Sequence, residues 1–253
     1  MKNRIGIFCM LVFVLLGAQA QQVASSVAKQ VIEIASGNLK LTLMVGSDNR
    51  LYQLGFGDAE KKILLPSVLP SREQEFLPPY GNGVITEPAI QATHTDGNTS
   101  TELHYVGHEE QSVSADVRQT VISLRDPAYN FFVDFYVKCY QSAGLMEIWN
   151  TIRHDERGGK VVLYRYASAS PLLKASSYWL TQFNGKYKRE ATLEEERLGE
   201  GIKILDSKLG VRANQFRIPS FILSYNHAAK ENEGEVFAAS LKWAGSFQLA
   251  FEV

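Results

Sequence analysis

The sequence predicts an all-β protein, a two-sheet antiparallel β-sandwich. Three observations predict it. Apolar and aromatic residues alternate with period two through run after run, turn-forming pairs such as Asp-Gly, Asn-Gly and Gly-Gly separate those runs at short intervals, and hardly any segment offers a helical pattern instead. Alternating β-branched and aromatic side chains pack well on a pleated surface with one buried face. Many such strands without intervening helices bury their apolar faces against one another as two packed sheets.

In chain order, the first twenty residues come before any strand. Lys2 and Arg4 precede an apolar run from Ile5 to Leu16, and Ala18-Gln19-Ala20 supplies small residues where a signal peptidase cuts. Residues 1–20 therefore read as a cleaved secretory signal, with an uncleaved N-terminal anchor as the alternative. The run is short for a spanning helix, which needs about 20 apolar residues. Cys9 lies inside the run and not at the cleavage point, which argues against lipid attachment. No second long apolar run follows, so residues 21–253 are expected as an exported, periplasmic or secreted domain with no membrane partner.

Leu39, Leu41 and Leu43 alternate with Lys40, Thr42 and Met44 as the first clear strand, and the Pro/Gly-rich stretch Pro66 to Gly83 reads as a long loop. ELHYVG and RQTVISL follow. YNFFVDFYVKCY then sets Phe131, Val133, Phe135 and Val137 on one face and Phe132, Asp134, Tyr136 and Lys138 on the other. LMEIWNTI, KVVLYRYAS and SYWLTQF continue the pattern. Lys186 to Gly199 breaks it: ATLEEERL lacks a clean apolar stripe and suits a solvated loop or a short surface helix. GIKILDS, SFILSY, EVFAASLKW and SFQLAF complete the set. Phe247, Leu249, Phe251 and Val253 alternate up to the last residue, which fits either the front part of a longer protein or a domain with a C-terminal final strand.

Composition bounds the function classes. Hydrophobic residues make up 45% and charged residues 21%, ordinary for a folded domain with one large core or two fused halves. A formal net charge of −1 gives no reason to expect a nucleic-acid partner or an anionic surface. Of the two cysteines only Cys139 lies outside the leader, so no internal disulfide is expected. Its strand-like surroundings make it a small buried apolar residue, not a nucleophile.

The search for chemistry is mostly negative. His104 and His108 are four apart in ELHYVGHEE, with His94 nearby, but the segment reads as a strand and no supporting ligands accompany them, so no metal site is assigned. No phosphate-cradling glycine loop precedes a helix, and no Gly-x-Ser-x-Gly elbow occurs. Asp134, flanked by aromatics, and Glu147, beside Trp149, are the most interesting carboxylates, and both suit structural roles. Trp149, Trp179 and Trp243 stand in apolar alternating runs and are expected mostly in the core.

Several blocks carry a family resemblance. NRLYQLGFG, then YGNGVITEPAIQATHTDGNTSTELHYVGHE, SYWLTQFNGKYKRE, LGEGIKILDSKLGVRANQFRIPSFILS and ENEGEVFAASLKWAGSFQLAFEV resemble successive parts of the N-terminal domain of glycoside hydrolase family 36, the α-galactosidases. Order and spacing hold from about Leu39 to the last residue. The resemblance implies a large β-sandwich of the supersandwich type, preceding a (β/α)₈ barrel that carries two catalytic aspartates. It implies retaining hydrolysis of terminal α-galactosyl residues without metal or organic cofactor. The Lys-Trp-Asp or Lys-Phe-Asp motif of the family nucleophile does not occur here, so the chain is expected to be inactive alone, a fragment cut before the barrel, with no catalytic residue of its own.

By the same resemblance the sandwich packs on the downstream barrel, helps subunits associate into a homo-oligomer, and lends a loop to the active-site mouth. The matching loop is Tyr80 to Glu87, where Val84 and Thr86 replace an acidic residue and an arginine of many relatives. Tyr80, Asn82 and Glu87 are the substrate-binding candidates at the pocket rim, galactosides being the expected ligands. The alternative is that Gly81 and Gly83 make a turn that Glu87 caps. A free-standing carbohydrate-binding sandwich is the second reading of the whole chain; an exposed row of Trp or Tyr on one sheet face would favour it.

Overall fold

A computed structural model describes residues 27–253, so residues 1–20, where a signal was expected, and Cys9 lie outside the described residues. The described chain is all-β and sandwich-like. Its strands are β1 (Ala28–Ser36), β2 (Leu39–Gly46), β3 (Leu51–Asp58), β4 (Ile90–Thr93), β5 (His104–Ser112), β6 (Val117–Arg125), β7 (Phe131–Tyr140) and β8 (Leu145–His154). They continue as β9 (Val162–Tyr166), β10 (Tyr178–Lys186), β11 (Arg189–Arg197), β12 (Ile202–Ser207), β13 (Arg217–Tyr225), β14 (Val236–Ser240) and β15 (Phe247–Glu252). Every strand pairing is antiparallel. Hydrogen bonding divides the strands among several sheets, not two, and the chain forms two compact units, one ending at Leu173 and the other running from Lys174 to Val253.

The first unit is a two-layer sandwich. The β1-β2-β3 sheet and the β5-β6-β7-β8 sheet share one core, in which Ile32, Ile34, Leu41 and Leu43 meet Ile122, Leu124, Val133, Phe135 and Val137. Strand β7 alternates as the sequence predicts, with Phe131, Val133, Phe135, Val137 and Cys139 buried and their neighbours half-exposed. Strand β2 departs from strict alternation, because Thr42 and Met44 are buried along with Leu41 and Leu43. It is the central strand of its sheet, covered on both faces. The Pro66–Gly83 stretch is a loop with a short 3-10 turn at Arg72–Gln74, pinned where Phe76 and Leu77 enter the core. The small β4-β9 ribbon completes the unit.

Buried ion pairs brace this core. Arg50 reaches Glu75 at 3.2 Å and Glu102 at 2.8 Å. Burial pushes the Glu75 carboxyl up to about 7 although Arg50 and Arg72 oppose the shift. His94 is enclosed: its Nδ1 meets Glu156 at 2.8 Å, its Nε2 meets Thr101 at 3.0 Å, and its ring stacks on Tyr129 at 3.7 Å. Burial of Glu156 works against its ionisation, but the bonds from His94 and Thr95 outweigh it and hold the carboxyl below its usual range.

The second unit holds the β11-β10-β13-β14 sheet and the β12-β15 ribbon, with Phe221 of the sheet edge-on to Phe251 of the ribbon at 4.8 Å. The segment expected as a solvated loop or surface helix is strand β11, paired along β10. The correction has a physical cause: its glutamates stand beside polar partners on β10, Thr181 donating to Glu195 at 3.2 Å and Gln182 to Glu196 at 3.4 Å. A strand at a sheet edge needs no apolar stripe when water covers it, and charge there discourages edge-to-edge association. The final alternating run, β15, is paired with β12 in full register from Phe247 to Glu252.

Candidate functional site

The Tyr80–Glu87 loop is held at its base by backbone bonds, Tyr80 N–H donating to Ile90 C=O at 2.8 Å and Thr101 N–H to Tyr80 C=O at 3.0 Å. Gly81 has φ +86°, and a Cβ there would stand 2.6 Å from the Ser100 Cα, so only glycine fits. Gly83 follows at φ +88°. Together they throw the next residues outward.

The three candidates from the sequence separate. Tyr80 is exposed. Asn82 is 2% exposed; its side-chain oxygen accepts the Val84 N–H at 3.2 Å and its carbonyl accepts from the Arg72 guanidinium, while its amide nitrogen is buried without a partner. Asn82 therefore acts on the loop itself, as Asx turns do. Glu87 forms an ion pair with Arg165 of β9. At the loop tip Ile85 is fully exposed.

Arg165 and its neighbours are what sequence reasoning missed. Tyr164 and Tyr166 flank it on β9 with exposed rings, while Val161 and Ala167 pack on the core. Parity along KVVLYRYAS does not give their placement, because a register shift against β4 pairs Tyr166 with Ile90 but Val162 with Thr93, on opposite faces.

The remaining singled-out residues have partners. A register shift between Tyr105 and Gly107 sets His104 opposite Arg125 and His108 opposite Ile122, so the two imidazoles lie on opposite faces of the sheet. His104 meets Glu102 at 3.3 Å, and His108 meets the Tyr105 hydroxyl at 2.6 Å. Asp134 accepts from Ser123 at 2.7 Å, and Glu147 from Tyr140 at 3.0 Å. Burial pushes the Cys139 thiol up, which suppresses the thiolate. The tryptophans depart from the core expectation. Trp149 and Trp179 are half-buried, and Trp243 is 61% exposed beside an open depression of about 440 Å³ lined in part by Pro219, Ser220 and Ser240. Trp243 lies beyond the end of β14, outside the strand its run suggested.

The described residues thus define an antiparallel all-β sandwich with a loop shaped by glycine. The profile of the Glycosyl hydrolase family 36 N-terminal domain matches residues 42–253, and the chain belongs to that family. It is 27% identical over 205 residues to alpha-galactosidase AgaA of Geobacillus stearothermophilus, covering 71% of this chain and 26% of that protein. It is 24% identical over 198 residues to alpha-galactosidase C of Emericella nidulans, covering 73% and 26% respectively. The chain thus spans about a quarter of the length of these curated relatives. The crystal structure of AgaB from G. stearothermophilus superposes with a TM-score of 0.79 at 19% identity, over 88% of this chain and 36% of that one. The AgaA structure gives 0.77 at 20% identity over 88% and 35%.

Proposed function

We propose that this chain is the non-catalytic N-terminal β-sandwich part of an exported α-galactosidase-like glycosidase, acting as a scaffold for a downstream barrel that hydrolyses terminal α-galactosyl residues. The carrying observation is the family match over residues 42–253, together with relatives that are alpha-galactosidases of which the matched part covers only 26%. Exposed aliphatic side chains support an interface role: Leu64, Leu65, Val68 and Ile85 stand in water in the first unit. Export, to the periplasm or beyond, rests on the charged, apolar and small-residue pattern of residues 1–20. In this reading the exposed Tyr80 ring and Glu87, held by Arg165, border the mouth of the barrel's pocket, and Asn82 shapes the loop that presents them.

The test is activity. The purified chain is expected to release no nitrophenol from an α-galactoside above a blank. Turnover that disappears when an acid within residues 21–253 is replaced by its amide would sink the scaffold reading.

A further inference from the structure

The outer face of the β5-β6-β7-β8 sheet is not an ordinary solvated face. Register places its residues in rows: Arg125, Phe132 and Arg153; Ser123, Asp134 and Thr151; Val121, Tyr136 and Trp149; Gln119, Lys138 and Glu147. An antiparallel sheet with one face on the core normally turns polar residues to water. Here three aromatic rings alternate with charged and planar polar groups, and the central members of each row are half-exposed.

The face is also preorganised. Tyr136 and Trp149 stack with centroids 5.0 Å apart and planes 3° from parallel. Each ring spends one face on the other, and Trp149 stands on β8, the edge strand of the sheet. Phe132 is held between guanidiniums, Arg153 at 4.1 Å and Arg125 at 5.4 Å from its centroid. Asp134 is fixed by Ser123 at 2.7 Å and lies 3.8 Å from Arg153. Glu147 is fixed by Tyr140 at 3.0 Å. Side chains already held lose little freedom on binding. Glu147 and Thr151 flank Trp149 on its own face of β8, each about 7 Å along the strand, a spacing that accepts one sugar ring over the indole.

Charge selects the ligand class. Arg125, Lys138 and Arg153 are balanced by Glu109, Asp134 and Glu147 on the same face. A polyanion needs an excess of cations. A protein interface is depleted of charge at its centre, yet Asp134 and Lys138 flank the stacked rings. A neutral, hydroxyl-rich ligand with apolar ring faces suits both the rings and the carboxylate and guanidinium groups, which accept and donate to hydroxyls. We propose that this face is a binding platform for a neutral oligo- or polysaccharide, with Trp149 stacked on Tyr136 as the apolar surface and Asp134, Arg153 and Glu147 as its polar contacts. The inference goes beyond the scaffold reading and needs no barrel.

The experiment is native affinity electrophoresis of the full chain through gels containing galactomannan, xylan or mixed-linkage β-glucan, with heparin as the polyanion control. Retardation is expected in at least one neutral polysaccharide and not in heparin. Trp149→Ala should weaken it about tenfold or more, and Arg153→Ala, which removes an exposed side chain, should weaken it without lowering the unfolding midpoint. Trp149→Phe should retain part of it, and Trp243→Ala all of it. The proposal is overturned if no neutral polysaccharide retards the parent, if heparin retards it more, or if Trp149→Ala and Arg153→Ala migrate like the parent. It is equally overturned if sedimentation shows a dimer that Arg153→Glu dissociates while retardation persists, since the face would then hold a second copy. Nitrophenol release bears only on the scaffold reading, so the two fail separately.

Discussion

The two compact units are made of the same kind of strand and bury it differently. In the first, two sheets close on each other, and Leu41, Leu43, Ile122, Val133, Phe135 and Val137 are fully enclosed. In the second, Leu180, Leu205 and Leu223 are buried, but Leu193, Ile202, Ile204 and Val236 remain exposed. The difference lies in the opposing layer. The β5-β6-β7-β8 sheet faces three strands, whereas within its own unit the β11-β10-β13-β14 sheet has only the two-stranded β12-β15 ribbon. Alternation makes a strand two-faced; an opposing layer of sufficient width makes one face a core. In the second unit the exposed apolar side chains lie on the strands themselves, whereas Leu64, Leu65, Val68 and Ile85 of the first unit lie on loops.

The largest expected effect separates the units directly. Phe135→Ala, in the enclosed core and edge-on to Phe76 at 4.6 Å, should cost about 3–5 kcal/mol because a cavity is left. Phe221→Ala in the second unit should cost clearly less, since its site is half-exposed and can collapse. Urea denaturation of both variants measures the contrast, and equal losses would break it.

The next effect is electrostatic and belongs to the first unit alone. Glu75 titrates near 7 when folded against an ordinary value of 4.5, so the folded state holds its proton over that interval. Stability should therefore fall as pH rises from about 4.5 to about 7, by up to about 3 kcal/mol. Glu102 and Glu156 are shifted down, and their contribution is lost in the opposite direction, as pH falls below the usual carboxylate range. The unfolding midpoint should peak between these limits, and Glu75→Gln should flatten its neutral side. A parent midpoint that climbs steadily to pH 7 would contradict the burial of Glu75.

The smallest effect sharpens the comparison at the surface. Trp243→Ala in the second unit should change stability by less than about 0.5 kcal/mol, because its ring stands mostly in water. Chemical denaturation checks it, and a loss of several kcal/mol would mean that the open depression closes over the ring in solution.

Much of the fold was legible in local pattern. YNFFVDFYVKCY announced both the strand and its buried face, and the Pro66–Gly83 loop was visible from its turn residues. Of the candidate site, the glycine-bracketed turn was legible, because positive φ is a local demand. The burial of Asn82, the Glu87–Arg165 ion pair and the exposed tyrosines of β9 were not, because each depends on a strand or loop distant in sequence. ATLEEERL misled for the same reason: its strand pairing is supplied by β10, not by its own residues.

What the sequence by itself determined is the alternation, the turns, the absence of helical stripes and the family. Period two is a property of the extended backbone and is written residue by residue. The tertiary structure decided which faces are covered. One bulge at Tyr105–Gly107 sends His104 and His108 to opposite faces, and an opposing sheet encloses Phe135 while Trp243 is left in water. Burial is a relation between layers set by long-range pairing, and no single strand carries it.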